Sequence, residues 1–375
     1  MSVSRRFVLK STAAAAATAV AAPAILRAHD ALASSGQVDV FAWGDYFKDN
    51  MIQKFESDTG IKVNLSTFGS NDEAENKLRA AGGKGFDVIF PSITNGANYY
   101  PDNLLAPLDE SKVKMDAIIP SMVRDSINLG ATYRGKRYLL PFDWGTEAIT
   151  FDSSKFDLAD ADVSFGTMWS PEAKGAAAFR QKSVIMGVAI YLDSTGDVPS
   201  NRALDIYKSE DDARRIWDAC TKFIIERKEN IAAFWNNATE ATAAYTDAGA
   251  TIGQTWDTTG LLLNREDAKY KYRMPKEGGI TWMDSMGVCS GAANVEQAYA
   301  LINALLDPEM AGMFAANTGY NSAVKGAGDF AGEEYKKQFN EVYSEEALAN
   351  LWWWQADTPY FAPLRQEYVE KITNA

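Results

Sequence analysis

Hydrophobic positions after residue 37 alternate between short apolar runs and helical spacings. Residues 38–43 form an apolar run that is typical of a buried strand. Phe47, Met51 and Phe55 then recur at helical spacing, and residues 61–65 form a second strand-like run. This order of strand, helix and strand predicts a parallel βαβ unit.

The same pattern continues with a predicted helix at 71–81 and a predicted strand at 86–92, which makes the first domain doubly wound α/β. A second α/β block is predicted to begin after residues 139–142, and it includes a long helix at 211–228. No long Pro-rich or Ser-rich linker separates the two blocks. The sequence therefore predicts two α/β units joined by short crossings.

Ligands of open α/β sheets bind beyond the carboxyl ends of the strands. The predicted loops at these ends follow Phe41, Phe90, Ile252 and Ile280. They contain aromatic, acidic and hydroxyl side chains, namely Trp43, Asp45, Tyr46, Ser92, Thr94, Trp256, Asp257, Trp282 and Asp284. We expect the functional site among these residues.

The N-terminus has the features of an export signal. Arg5 and Arg6 directly precede an apolar, Ala-rich run at 11–26, and small residues follow at 31–33. This arrangement is typical of a twin-arginine signal, and it predicts that residues 1–33 are removed on export to the periplasm. The alternative is a buried N-terminal helix, in which paired arginines would be expected on a polar face.

The net charge of the chain indicates which classes of partner to expect. The 375 residues have a net charge of -13, and removal of residues 1–33 lowers the charge to -16. Such a charge repels nucleic acid and anionic membrane surfaces, and it favours cationic partners.

Histidine occurs once in the chain, at His29, inside the predicted signal. A mature protein without histidine has no Ser-His-Asp triad, no Cys-His pair and no His-ligated zinc. We therefore expect a protein that is not an enzyme and that needs no cofactor or metal. Two alternatives are an exported hydrolase, with acid and base carboxylates drawn from Asp45, Asp257 and Asp284, and a structural protein without a small ligand.

Cys220 and Cys289 are the only thiols of the chain. The oxidising periplasm would permit one disulfide between them, and two buried free thiols fit the sequence equally well.

Three predicted loops place an aromatic side chain beside an acid. These pairs are Trp43 and Tyr46 around Asp45, Trp256 with Asp257, and Trp282 with Asp284. A desolvated ammonium group needs a carboxylate partner, and each close ring face contributes about 0.5 to 2 kcal/mol through cation–π attraction. The repeated pair predicts a pocket for an amine.

Longer blocks of sequence resemble a known family. Residues 43–46, 66–68 and 90–92, and above all residues 275–285, are similar to the periplasmic spermidine/putrescine-binding proteins of ABC importers. The resemblance extends from about residue 38 to the C-terminus. It implies two doubly wound α/β lobes with hinge crossings, the type II periplasmic-binding fold.

The resemblance also implies boundaries and a function. Lobe 1 would comprise residues 37–141 and 284–328, and lobe 2 would comprise residues 142–283 and 329–375. The protein would be a monomeric receptor that captures a polyamine such as spermidine or putrescine for an inner-membrane ABC permease. The implied ligand site consists of Trp43, Tyr46, Ser92, Trp256, Trp282, Asp284, Tyr320 and Gln355, and Asp45 stands where the family also carries an acid.

One segment departs from the family. Where the spermidine/putrescine-binding proteins carry a second acidic cluster after a Lys-Gly pair, this chain has Arg180 and Lys182. These bases would repel a ligand cation and hold a carboxylate or phosphonate, which favours a zwitterion such as γ-aminobutyrate or a betaine. The alternative is that both bases are solvated surface residues. Thr94 also replaces an aromatic residue that is typical of the family.

Overall fold

The computed structural model describes residues 36–44 and 46–375. The predicted export signal at 1–33 and the candidate site residue Asp45 lie outside the described residues. Within them the protein has an α/β fold, in which helices pack against the strands of a large mixed sheet. No helix in these ranges combines the length and the apolarity that crossing a membrane requires.

The strands are numbered in chain order. They are β1 Gln37–Trp43, β2 Lys62–Phe68, β3 Val88–Ile89, β4 Thr132–Tyr133, β5 Lys136–Arg137, β6 Leu139–Asp152, β7 Ala177–Arg180, β8 Ile231–Trp235, β9 Ile252–Trp256, β10 Tyr270–Arg273, β11 Ile280–Val288, β12 Asn321–Ser322 and β13 Trp352–Trp353.

The α-helices are numbered in the same way, and short 3-10 segments connect several of them. They are α1 Asp49–Thr59, α2 Asn71–Ala80, α3 Gly96–Tyr99, α4 Pro120–Ser126, α5 Val184–Ser194, α6 Glu210–Ile225, α7 Ala238–Thr246, α8 Asp257–Glu266, α9 Val295–Leu305, α10 Pro308–Thr318, α11 Glu333–Val342, α12 Glu345–Ala349 and α13 Phe361–Thr373.

The main sheet has the strand order β2-β1-β3-β11-β6-β9-β7-β8. Strand β1 pairs in parallel with β2 and β3, which confirms the predicted βαβ unit. Strand β7 pairs in parallel with β8 and β9. Between these two parallel groups lie β6 and β11, which are antiparallel to each other, so two long strands run through the middle of the molecule.

Local sequence signals explain where several helices begin and end. Helix α1 ends at Gly60, whose φ of 72° is a left-handed conformation that glycine adopts without strain. Helices α2 and α6 begin after Ser70 and Ser209, whose hydroxyl groups accept hydrogen bonds from backbone N–H groups of the first turn. The predicted helices at 71–81 and 211–228 are therefore confirmed with small shifts at their ends. The predicted strand at 86–92 is shorter than expected, because only Val88–Ile89 forms a strand, while Ser92 forms an isolated antiparallel bridge with Asp284.

The hydrophobic core is divided into three clusters. The largest contains Phe41 and Trp144, the second contains Trp217 and Phe361, and a small third cluster contains Trp235. The boundary between the first and the second cluster crosses strand β6. Ala148 belongs to the first cluster, and Ile149 belongs to the second. This division agrees with an α/β fold of two lobes.

Both cysteines are free and buried, so the disulfide alternative is not realised. Cys220 lies in the second core and Cys289 in the first core.

The structure corrects three predicted loops. Trp43 and Trp256 are the last residues of β1 and β9 rather than loop residues. Trp282 and Asp284 lie inside β11 rather than in a loop after Ile280. The reason is that β11 pairs with β6 from Ile280 onward, so its backbone stays extended through the aromatic and acidic positions. A register shift between Asp284 and Ser285 interrupts this pairing.

Candidate functional site

A cleft of about 700 Å³ brings the predicted site residues together. It is lined by Trp43, Tyr46, Ser92, Arg180, Trp256, Asp257, Trp282, Asp284, Tyr320 and Gln355, and also by Thr94 and Lys182. Among the residues predicted for the site, Asp45 alone lies outside the described residues. The lining side chains pack on different cores: Trp43 and Tyr320 on the first, Trp354 on the second and Trp256 on the third.

One face of β6 supports the cleft. Asp143, Gly145 and Glu147 alternate along this strand, so their side-chain positions share a face. In the sheet register, Asp143 lies opposite Asp284 and Gly145 lies opposite Trp282. On the other edge of β6, Glu147 lies opposite Trp256. Strand β6 therefore holds the cleft residues of β9 and β11 in fixed positions.

Two buried carboxylates meet at a tyrosine hydroxyl. The Tyr46 hydroxyl is 2.5 Å from Asp284 Oδ2 and 3.0 Å from Asp143 Oδ1. Asp143 is fully buried, and Asp284 is 6% exposed. Burial, followed by the charges of Asp143 and Asp284, raises the pKa of Tyr46 well above its usual value. Tyr46 therefore stays protonated and donates to this pair of acids. We call Trp43, Tyr46, Asp143, Trp282, Asp284 and Tyr320 the acidic wall.

The ring of Trp282 lies against the backbone of β6 at Gly145. A Cβ atom at Gly145 would be 2.3 Å from the Trp282 ring, so only glycine leaves room for this ring position. Tyr320 packs edge-on against Trp282, with ring centroids 5.4 Å apart and an interplanar angle of 86°. The two aromatic side chains hold each other beside Asp284.

Trp43 and Ser92 complete this side of the cleft. The Trp43 ring packs on Phe68, and its indole N–H is buried without a hydrogen-bond partner among the described residues. Ser92 exchanges hydrogen bonds with Asn71, which accepts from the Ser92 backbone N–H and donates to its hydroxyl. Asn71 starts helix α2 and also lines the cleft.

Asp257 lines the cleft, but hydrogen bonds within the protein occupy its carboxylate. Oδ2 accepts from the Thr146 backbone, Asn321 and Tyr343, and Oδ1 accepts from the Thr258 backbone. Burial raises the pKa of Asp257 to about 6, and these hydrogen bonds oppose the shift. Asp257 therefore connects β6, α8 and β12, and it is a positioning residue for the cleft.

A second buried carboxylate, Glu147, anchors Arg180. The Arg180 guanidinium pairs with Glu147 Oε1, and its face lies 4.7 Å from the centre of the Trp256 ring. Glu147 is fully buried and also accepts from Ser183, Gln254 and the Trp256 indole. Arg180 is thus fixed against an aromatic surface with 18% of its side chain exposed.

Two further cations line the cleft near Arg180, namely Lys182 and Arg365. Neither has an ion pair or a hydrogen bond with the described residues. Burial, followed by the charges of Arg365 and Arg180, lowers the pKa of Lys182 to about 8. Lys182 is nevertheless exposed to solvent, and it lines the cleft. We call Arg180, Lys182, Trp256, Trp354 and Arg365 the basic wall.

The three consecutive tryptophans have different environments. Trp352 is buried in the second core, Trp353 packs against the first core, and Trp354 lines the cleft. The Arg365 guanidinium lies 5.6 Å from the centre of the Trp354 ring. Gln355 follows at the cleft and donates a hydrogen bond to the Trp353 backbone.

Asp143, Glu147 and Arg365 belong to the two walls but were not predicted from the sequence. The sequence around Asp143 and Glu147 contained a clue to their importance. Both acids interrupt a largely apolar run that is otherwise typical of a buried strand. Charged residues are rarely buried unless they are paired. The sequence did not indicate that Arg365 lies at the site. It belongs to an ordinary amphipathic helix, which only the tertiary fold brings to the cleft.

One known protein family matches most of the chain. Residues 50–340 match the family of bacterial extracellular solute-binding proteins, and the chain belongs to this family. The family consists of solute-binding proteins of ABC importers, which bind their solutes without converting them, so the hydrolase alternative is wrong. Within residues 36–44 and 46–375, there is no group of three or more His, Cys, Asp or Glu residues that could hold a metal ion.

Several relatives are similar over most of their length. The spermidine/putrescine-binding periplasmic protein of Escherichia coli is 25% identical over 335 residues, which cover 88% of this chain and 90% of the relative. The putrescine-binding periplasmic protein SpuD of Pseudomonas aeruginosa is 27% identical over 276 residues, covering 72% of this chain and 74% of the relative. These relatives are periplasmic binding proteins.

Solved structures show the same fold. The spermidine/putrescine substrate-binding protein PotD of Streptococcus pneumoniae has a TM-score of 0.74 and 23% identity, with 91% of this chain and 99% of that chain covered. The Atu4243-GABA receptor has a TM-score of 0.64 and 19% identity, with 90% and 96% covered. These likenesses confirm the expected α/β binding-protein fold with two lobes.

Proposed function

We propose that this protein captures a small amine-bearing solute between its two lobes for import by an ABC permease. Polyamines such as putrescine and spermidine are one candidate class of solute, because relatives that are similar over most of their length bind them. The acidic wall would hold a primary ammonium group of the solute.

The cross-strand pair of Asp143 and Asp284 carries this proposal. The two carboxyl groups lie opposite each other in the sheet, and both are buried at the same side of the cleft. An ammonium group next to Asp284 would bring a positive charge and three hydrogen-bond donors to the pair. The rings of Trp43, Trp282 and Tyr320 would enclose the adjacent methylene groups and add cation–π attraction.

We also propose that the lobes close on the solute by bending at β6 and β11. The expected boundaries at 141/142 and 283/284 fall inside these two strands. Val342, Tyr343 and Leu351 pack in the first core, and Trp352 packs in the second. A third crossing near Leu351 would therefore suit the packing better than one near residue 328. A solute that contacts both walls would stabilise the closed state.

The route to the periplasm and the partner are further parts of the proposal. Residues 1–33 would direct export through the twin-arginine pathway, and the receptor would act as a monomer that docks on an inner-membrane permease. Replacement of both Arg5 and Arg6 by lysine should leave the precursor in the cytoplasm, as measured by cell fractionation. Unchanged periplasmic accumulation would contradict the export route.

Tryptophan fluorescence of the purified mature protein tests the proposed function. Trp43, Trp256, Trp282 and Trp354 line the cleft, so titration with putrescine, spermidine and small amino acids should give a saturable change for at least one amine. Small-angle scattering should show a more compact molecule with that amine. Absence of saturation with every amine, and no change in size, would contradict the proposal.

A further inference from the structure

Three cations face the cleft from the basic wall. Arg180 ends strand β7, Lys182 follows it by two residues, and Arg365 comes from helix α13. They come from two chain segments far apart in sequence, and the fold brings all three to one cavity. Arg180 is largely buried, unlike a solvated surface residue, whereas Lys182 is exposed and lines the cleft.

The carboxylates nearby do not balance these charges. Glu147 is buried against Arg180 and forms its ion pair. Lys182 and Arg365 have no carboxylate within ion-pair distance among the described residues. The exposed Asp357 acts on both of them only as a more distant charge. One excess positive charge therefore remains at the basic wall even when Asp357 is counted.

The pKa values of Lys182 and Arg365 are both lowered at the basic wall. Burial and the charges of Arg180 and Arg365 lower the pKa of Lys182, while Glu147 and Asp357 act in the opposite direction. Burial also lowers the pKa of Arg365, and Arg180 lowers it further. Lys182 and Arg365 therefore oppose each other, and neither has a direct carboxylate partner among residues 36–44 and 46–375.

We propose that the basic wall is a binding site for the anionic group of the solute, a carboxylate or a phosphonate. This inference rests on the proposed function, in which the acidic wall holds the ammonium group of the same solute. Arg365 offers planar donors for two oxygens of an oxyanion, and Lys182 offers a point charge. Arg180 is held by Glu147 and Trp256, so it contributes from a fixed position.

A solute that reaches both walls would thus carry an ammonium group and an oxyanion on one short chain. The second ammonium of a diamine would lie beside Lys182 and Arg365 and meet unpaired positive charge. We therefore expect a zwitterion to bind at least tenfold more tightly than a diamine of the same chain length.

Calorimetric titration of the mature protein tests this preference at pH 7. The ligands are putrescine, γ-aminobutyrate and 2-aminoethylphosphonate, and the last two distinguish a carboxylate from a phosphonate. Tighter binding of either zwitterion supports the proposal and identifies the oxyanion. Putrescine binding as tight as that of both zwitterions, or tighter, would overturn the anion site while leaving the proposed amine receptor intact. No binding of any of the three compounds would overturn both.

Charge variants provide an independent test. Lys182→Met and Arg365→Gln should each weaken binding of the preferred zwitterion about tenfold to a hundredfold and strengthen binding of putrescine. Lys222→Met is the matched control, because Lys222 on helix α6 is 77% exposed and does not line the cleft. Circular dichroism checks that the variants fold. Equal affinities for the zwitterion in the folded cleft variants and the control would overturn the proposal.

Discussion

Asp143 and Glu147 lie four residues apart on the same face of β6, yet they have opposite surroundings. Asp143 faces a second carboxylate, Asp284, and the two acids share the hydroxyl of Tyr46. Glu147 instead pairs with Arg180, beyond which Lys182 and Arg365 add two more positive charges. One strand thus supports an acidic end and a basic end of the same cleft.

The two ends also differ in how they respond to protonation. At the acidic wall, burial and two carboxylates keep Tyr46 neutral by raising its pKa. At the basic wall, burial and neighbouring cations lower the pKa of Lys182 to about 8. Each wall therefore disfavours additional charge of its own sign. Under the two proposals above, a solute group of opposite charge would complete each wall.

Removal of charge from the acidic wall should have the largest effect. Asp284→Asn keeps the shape of the side chain and removes the carboxylate from the proposed ammonium site. We expect amine binding to weaken by about 2 to 5 kcal/mol, as measured by calorimetry, because the ammonium would lose a buried ionic partner. The exposed Asp211 supplies the control, Asp211→Asn. Equal affinities of the two variants would remove Asp284 from the site.

A smaller effect is expected from Gly145→Ala, which changes shape without changing charge. The added methyl group would collide with the Trp282 ring and displace it from its place beside Asp284. We expect a loss of about 1 to 3 kcal/mol of unfolding free energy in urea, together with weaker amine binding. At Gly328 a Cβ meets only an ordinary contact at 3.9 Å, so Gly328→Ala is the control. An unchanged affinity in Gly145→Ala would show that the position of the Trp282 ring does not matter.

The smallest expected effect is a change in the free energy of unfolding when a cation of the basic wall is removed. Lys182→Met removes a cation that Arg180 and Arg365 oppose and that Glu147 and Asp357 partly compensate. After allowance for solvent screening, we expect a gain of roughly 1 kcal/mol in unfolding free energy at pH 7.

The pH dependence gives the sign of this effect. The pKa of Lys182 is about 8 in the folded protein and 10.5 in an unperturbed lysine. Between these values the folded state has lost the proton that the unfolded state retains, so the wild type gains stability as pH rises. The advantage of Lys182→Met should therefore shrink from pH 8 to pH 10.5 in urea titrations. A constant difference across this range would contradict unfavourable charge at Lys182.

Much of the fold followed from local sequence patterns. The βαβ order of residues 38–65, and the helix starts at Ser70 and Ser209, depend on neighbouring residues alone. The extended course of β11 could not be predicted from its residues alone, because pairing with β6 keeps residues 282–284 in a strand. The short strand Val88–Ile89 likewise depends on which neighbours the sheet provides.

The site was predictable where aromatic and acidic residues adjoin in sequence. Trp256 beside Asp257, and Trp282 near Asp284, pointed to the cleft that the structure contains. Sequence could not show that hydrogen bonds within the protein occupy Asp257, or that helix α13 brings Arg365 next to Lys182. Both facts depend on contacts between segments that are distant along the chain.

A crystal structure of the mature protein with its tightest-binding amine would show which residues hold the ammonium group. We expect an ammonium nitrogen about 3 Å from a carboxylate oxygen of Asp284, with the rings of Trp43 and Trp282 beside the adjoining methylene groups. We also expect the other end of the solute to point toward Lys182 and Arg365. An ammonium group bound elsewhere, with Asp284 not in contact with the solute, would contradict this account.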